Sequence, residues 1–231
     1  MILCSFLFSF DKEASLIDTI IINGNKKTKE HIIKREIRHQ YNGVPLDSII
    51  LKDDINKLYN LGIFSDVEIF VENNVYNINV IESFNIYPIP LVEYNETKDE
   101  LSYGPALAHS NFLGMNQKIF LGSFISGDTG YILGFYNPWI YGNRINLGIL
   151  LLNLNPKNSF YSYNYNLILN KITSGFSFDK IHRYNYEIGY MKVDIYDIPA
   201  EHEYYNEIYS KPLQYDYFSL AFNYQYDIRD I

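Results

Sequence analysis

The feature that most constrains this chain is a change of hydrophobic period: residues 17–82 read as a small α/β module, and everything after about residue 100 reads as alternating strands. In the later part Tyr184, Tyr186, Ile188 and Tyr190 interleave with Asn185, Glu187 and Gly189. Phe218, Leu220, Phe222, Tyr224 and Tyr226 interleave with Ser219, Ala221, Asn223, Gln225 and Asp227. A repeated, aromatic-rich dyad of this kind suits a membrane-spanning β-barrel, because one face of each strand meets lipid and the other a polar lumen.

Composition agrees with that pattern. The apolar content of 47% is enough for a sizeable core, and 23 Tyr and 15 Phe stand against a single Trp. Tyrosine suits both strands and membrane–water interfaces. The net charge of -8 speaks against nucleic acid as a partner, since phosphate contacts need clustered cations and the run from Lys26 to Arg38 is broken by Glu30 and Glu36. Cys4 has no partner for an intrachain disulfide or a cysteine-based zinc site. Met1 to Phe10 is an apolar run followed by polar and small residues to Ser15, so residues 1–15 resemble a signal-peptide remnant, although the positive start of such a peptide is missing. No later stretch reaches the roughly 18 to 20 uninterrupted apolar residues of a membrane helix.

The front module has the order β-α-α-β-β. Ile17 to Asn23 is a β-branched run stopped by Gly24 and Asn25. Thr28 is placed to cap a helix carrying Ile32, Ile33 and Ile37, closed by Asn42, Gly43 and Pro45. Asp47 or Ser48 caps a second helix with Ile50, Leu51, Ile55, Leu58 and Tyr59 on one face and Gly62 just past its end. Val67, Ile69 and Val71 then alternate with Glu68, Phe70 and Glu72, and Val75 to Ile81 follows the Asn73–Asn74 turn.

These residues resemble the POTRA domain. The resemblance is carried by Ile20-Ile-Ile-Asn-Gly-Asn25, by Leu58-Tyr-Asn-Leu-Gly-Ile-Phe64 with Asp66 and Val67, and by Val80-Ile-Glu82, with their spacing kept. Gly24, Gly62 and Phe64 are its motif positions. The glycine at 62 can turn the chain out of the helix and the ring at 64 can pin that turn to the core.

Behind the module, Asn85 to Pro90 reads as a proline-stiffened joint. About eight strands then follow, beginning at Leu91 to Glu96, with turn residues such as Asn111/Gly114, Asp128/Gly130, Asn137/Pro138 and Gly142/Asn143 between them. Connections alternate between short ones and the long polar stretches from Asn153 and from Asp197, the asymmetry of an outer-membrane barrel. Gly104, Asn111-Phe-Leu-Gly114, Asn137-Pro138-Trp139-Ile140 and Tyr226-Asp-Ile-Arg229-Asp resemble the start of the barrel in the BamA/TamA-type outer-membrane assembly family.

The resemblance implies an α+β POTRA domain over residues 16–84 and the N-terminal half of an antiparallel transmembrane β-barrel over 85–231. Full members, single-POTRA relatives excepted, carry several POTRA domains, and they have about twice as many strands, together with an Arg-Gly-Phe loop that this sequence does not contain. It further implies an outer-membrane location with the POTRA domain in the periplasm. The implied role is assisting insertion, assembly or translocation of unfolded outer-membrane or secreted β-rich clients, with outer-membrane lipid and periplasmic accessory proteins as further partners. A two-partner secretion transporter is the alternative within the family, and a passive barrel or small-molecule binding protein lies outside it.

No catalytic constellation emerges. His31, His39, His109, His182 and His202 are scattered, and Glu201-His-Glu203 lacks a second histidine at zinc-protease spacing. There is no nucleophile elbow and no phosphate loop, and Asp227, Arg229 and Asp230 read as an ion-pair network. A non-enzyme without cofactor or metal is expected. The residues expected to hold clients, by strand addition, are Val67, Ile69 and Val71 on an edge of the module and Leu91 and Glu93 on the first barrel strand.

Overall fold

The computed structural model describes residues 17–38, 48–95, 99–141, 144–156, 164–177, 182–196 and 213–226. The leader-like segment, the Glu201-His202-Glu203 trio and Asp227, Arg229 and Asp230 lie outside the described residues. After Ser83 the chain passes from one unit to a second.

The first unit runs β1 (Thr19–Asn23), α1 (Glu30–Lys34), α2 (Ser48–Asn60), β2 (Phe64–Glu72) and β3 (Val75–Glu82). Its sheet has the order β1-β3-β2, with β1 parallel and β2 antiparallel to the central β3. Strand alternation puts Val67, Ile69, Ile78 and Val80 on one face, where they are buried with Ile32, Ile33, Leu58 and Ile63. The first helix is shorter than its sequence suggests: α1 ends at Lys34, and Ile37 joins the core from the segment beyond. Nor does Thr28 cap it, since the N-cap residue is Lys29. The main-chain N–H of Thr28 instead donates to the Glu82 carboxylate at 2.6 Å, as does that of Lys27 at 2.9 Å.

The second unit is one antiparallel sheet of eight strands in chain order. They are β4 (Ile86–Asn95), β5 (Glu100–Phe112), β6 (Gln117–Phe124), β7 (Thr129–Tyr141), β8 (Ile145–Asn155), β9 (Asn164–Ser177), β10 (His182–Tyr196) and β11 (Leu213–Tyr226). Two stretches read as punctuation in the sequence are strand here. The supposed joint Ile86–Pro90 pairs with β5, and Pro138 lies inside β7, at a register shift between Asn137 and Tyr141. Proline is excluded from the middle of a ladder but not from an edge strand or a bulge, and these positions are of those two kinds.

Cross-strand register separates the two faces of this sheet. One carries Leu121, Leu133, Leu151, Ile172, Tyr186, Ile188, Phe218, Leu220 and Phe222, all open to the surroundings, with Leu220 at 83% exposure. Rings line it in rows: Tyr186 and Phe222 have centroids 5.2 Å apart, and Tyr190 and Phe218 5.1 Å. The other carries Gly134, Gly148, Thr173, Gly189 and Ser219, with the Lys171–Glu187 ion pair at 2.8 Å. So large an apolar face is stable against lipid rather than water.

Candidate client-binding edges

A sheet edge binds an extended chain through main-chain groups that point sideways, and in an antiparallel pair these alternate, one residue toward the neighbour and the next away. The direction at each residue of β2 follows from its hairpin. Asn73 and Asn74 have φ of 51° and 62°, the two-residue turn that closes on a hydrogen-bonded pair, here Glu72 and Val75. Glu68, Phe70 and Glu72 therefore bond β3, while the N–H and C=O groups of Val67, Ile69 and Val71 face the open side of β2.

A local hydrogen bond agrees with this. The Val67 N–H, directed away from β3, finds the Asp66 carboxylate at 3.0 Å, and the Tyr59 hydroxyl donates to the same oxygen at 2.9 Å. The hydrogen bond to Asp66 raises the Tyr59 pKa. The edge accordingly begins with one donor already occupied and continues with Ile69 and Val71.

What supports this edge is partly polar. Asp54 on α2 is fully buried and accepts from the Tyr76 hydroxyl at 3.1 Å and from the Arg38 main-chain N–H at 2.7 Å, with the Lys57 ammonium 3.7 Å away. Burial, then the charge and hydrogen bond of Asp54, push the Tyr76 phenol far above its ordinary range. Sequence reading missed both residues: a carboxylate on a helix reads as solvated, and only its place on the face shared with Leu51, Ile55 and Leu58 signalled burial. Burial also raises Glu82, but bonds from the Thr28 hydroxyl and from the Thr28 and Lys27 N–H groups, with the charge of Lys27, outweigh it and leave the carboxyl below its usual value.

The motif glycines have steric causes. Gly24 has φ +88° and a Cβ there would stand 1.9 Å from the Val80 carbonyl oxygen, whereas Gly62 has φ +68° in open space. Gly62 ends α2 with its N–H on the Tyr59 carbonyl, and the next residues, Ile63 and Phe64, are buried.

In the second unit, the Ser110 N–H donates to the Asn85 carbonyl at 2.9 Å, and the β4–β5 register runs on from there as Ile86↔His109. Alternation then turns the main-chain groups of Tyr87, Ile89, Leu91 and Glu93 toward β5 and those of Ile86, Pro88, Pro90, Val92 and Tyr94 toward the open side. Leu91 and Glu93, the positions expected from sequence, thus have their backbone in the ladder, opposite Gly104 and Ser102. Gly104 is needed where it stands, because a Cβ there would lie 1.7 Å from the Ser123 carbonyl oxygen. Asn111 is buried and accepts from the Asn116 N–H at 2.8 Å, while Leu113, Gly114 and Asn116 take positive φ, so this motif builds the β5–β6 turn. The Trp139 N–H donates to Asn137, and the Arg144 guanidinium lies 5.1 Å from the Trp139 ring centroid.

Family models agree with this division of the chain. Residues 16–86 match the POTRA model, described as a surface antigen variable number repeat, and residues 111–231 match the Omp85 superfamily domain. The chain belongs to the Omp85 superfamily. It is similar to the crystal structure of BamA from Haemophilus ducreyi lacking POTRA domains 1-3, with TM-score 0.69 and 22% identity over 91% of this chain and 44% of that one. It is also similar to CdiB from Acinetobacter baumannii, with TM-score 0.52 and 11% identity over 92% of this chain and 43% of that one. For CdiB from Escherichia coli the TM-score is 0.50 and the identity 12%, over 94% of this chain and 43% of that one. The Omp85 chain thus spans less than half the length of these solved structures. No curated protein matches it. As an Omp85 protein it is an outer-membrane protein whose POTRA domain stands in the periplasm.

Proposed function

We propose that this protein assists the insertion, assembly or translocation of other β-rich proteins at the outer membrane, capturing unfolded clients by strand addition and using neither nucleotide nor catalysis. The observation that carries the reading is the main-chain geometry of two of the four sheet edges among the described residues, β2 in the periplasmic domain and β4 in the membrane sheet. Each directs main-chain groups away from its own ladder, at Ile69 and Val71 in the first and at Val92 and Tyr94 in the second. An extended client completes such an edge without any new pocket.

Ile69→Pro tests it. The Ile69 N–H is not part of the β2–β3 ladder, so proline removes an outward donor and no ladder bond, and Val71→Pro, at a half-buried position of the same orientation, repeats the test with less loss of core packing. Binding of an unfolded porin-type polypeptide is expected to fall, with the strand content of the protein unchanged. Unaltered binding would remove the edge from the mechanism. Likeness to CdiB favours a second reading, a transporter exporting one dedicated substrate. That transporter would bind its own substrate and not unrelated β-rich clients.

A further inference from the structure

The solvent face of the POTRA sheet carries charge of a single sign, and all of it stands at the open edge. Strand register places eleven residues on this face: Thr19, Ile21 and Asn23 from β1, Val75, Asn77, Asn79 and Ile81 from β3, and Asp66, Glu68, Phe70 and Glu72 from β2. Its charged members are Asp66, whose carboxylate is taken by the Val67 N–H and the Tyr59 hydroxyl, and Glu68 and Glu72, which are both exposed and, among the described residues, make no ion pair. Phe70 lies between them with 39% of its surface open.

Edge geometry makes these three side chains the ones an added strand meets most closely. With Val67, Ile69 and Val71 directing their main-chain groups outward, Glu68, Phe70 and Glu72 fall at the non-hydrogen-bonded positions of the new pair. At such positions the Cα atoms come to about 4.5 Å and side chains touch across the strands. The Asp66 carboxylate on the Val67 N–H sets the start of the new ladder at Ile69, which fixes the register on Glu68–Glu72.

We propose that the β2 edge selects extended segments bearing Lys or Arg at the two positions beside Glu68 and Glu72, an aromatic or β-branched residue beside Phe70, and apolar residues on the alternate positions that continue the Val67, Ile69, Val71 face. The partner is a cationic amphipathic strand. This rests on the strand-addition reading above and adds to it a rule of charge and register.

The test uses the full chain in detergent and three fluorescent peptides of one length, alternating valine with lysine, with serine or with glutamate, followed by anisotropy at low and high salt. At low salt the lysine peptide is expected to bind about three- to fivefold more tightly than the serine peptide, the scale of two exposed cross-strand ion pairs, and the glutamate peptide more weakly still. High salt, or the Glu68→Gln and Glu72→Gln pair, should erase the difference and leave serine-peptide binding in place. Equal binding of all three peptides, abolished by Ile69→Pro, would overturn the charge rule and keep strand addition. Binding of any peptide that Ile69→Pro leaves unchanged would overturn both.

Discussion

Pro90 and Pro105 face one another across β4 and β5, at a position where neither nitrogen is asked to donate. Pro88 lies two residues before Pro90 on the same side of the strand, so the open side of β4 offers carbonyls at both prolines and N–H groups only at Ile86, Val92 and Tyr94. A strand laid along β4 forms its full ladder over the second half alone. The two prolines thereby protect half of a sheet edge that would otherwise invite indiscriminate pairing.

Hydrogen exchange on the chain in detergent checks this alternation. The Leu91 and Glu93 amides, which bond β5, should exchange slowly, and the Val92 and Tyr94 amides quickly. Equal protection of all four would contradict an open, alternating edge.

That edge also marks where the sequence was legible and where it was not. The period change at about residue 100 foretold both units, because a one-residue slip would move every apolar side chain of β9 to β11 to the wrong face. The direction of main-chain groups leaves no such trace in composition. Leu91 and Glu93 were therefore natural candidates for the edge from sequence, whereas Val92 and Tyr94 emerge only once Asn85 and Ser110 fix the register. Asn85 to Pro90 read as a joint because proline usually ends a strand, and nothing local says that a strand lies at an edge.

The buried pair of Asp54 and Tyr76 should be costly to break. Tyr76→Phe removes one donor from a carboxylate that has no access to water, and a loss of about 1–3 kcal/mol in unfolding free energy is expected by denaturant titration. The pH dependence has a definite sign. The Tyr76 pKa is raised in the folded state, so its contribution is complete below the ordinary tyrosine value of about 10 and is lost as pH rises beyond it. Unfolding free energy should fall above that pH in the native sequence and fall less in Tyr76→Phe.

Glu82 predicts the acid side. Its pKa is lowered in the folded state, so its contribution is present above the ordinary glutamate value of about 4.3 and is lost as pH falls through the depressed folded value. In Glu82→Gln the acid limb of the stability profile should be shallower.

The two glycines of the module should differ. Gly62→Ala meets no atom and carries only the left-handed penalty of about 1–2 kcal/mol. Gly24→Ala adds a clash with the Val80 carbonyl to the same penalty and should be the more destabilising of the two by thermal unfolding.

The central claim is that edges of this protein receive other chains on their way into the membrane. The most direct measurement is the rate at which an unfolded outer-membrane β-barrel client folds into liposomes that carry the protein, liposomes that carry its Ile69→Pro variant, and empty liposomes. Faster folding with the native protein, reduced by the proline, is the predicted result; one rate in all three would contradict the account.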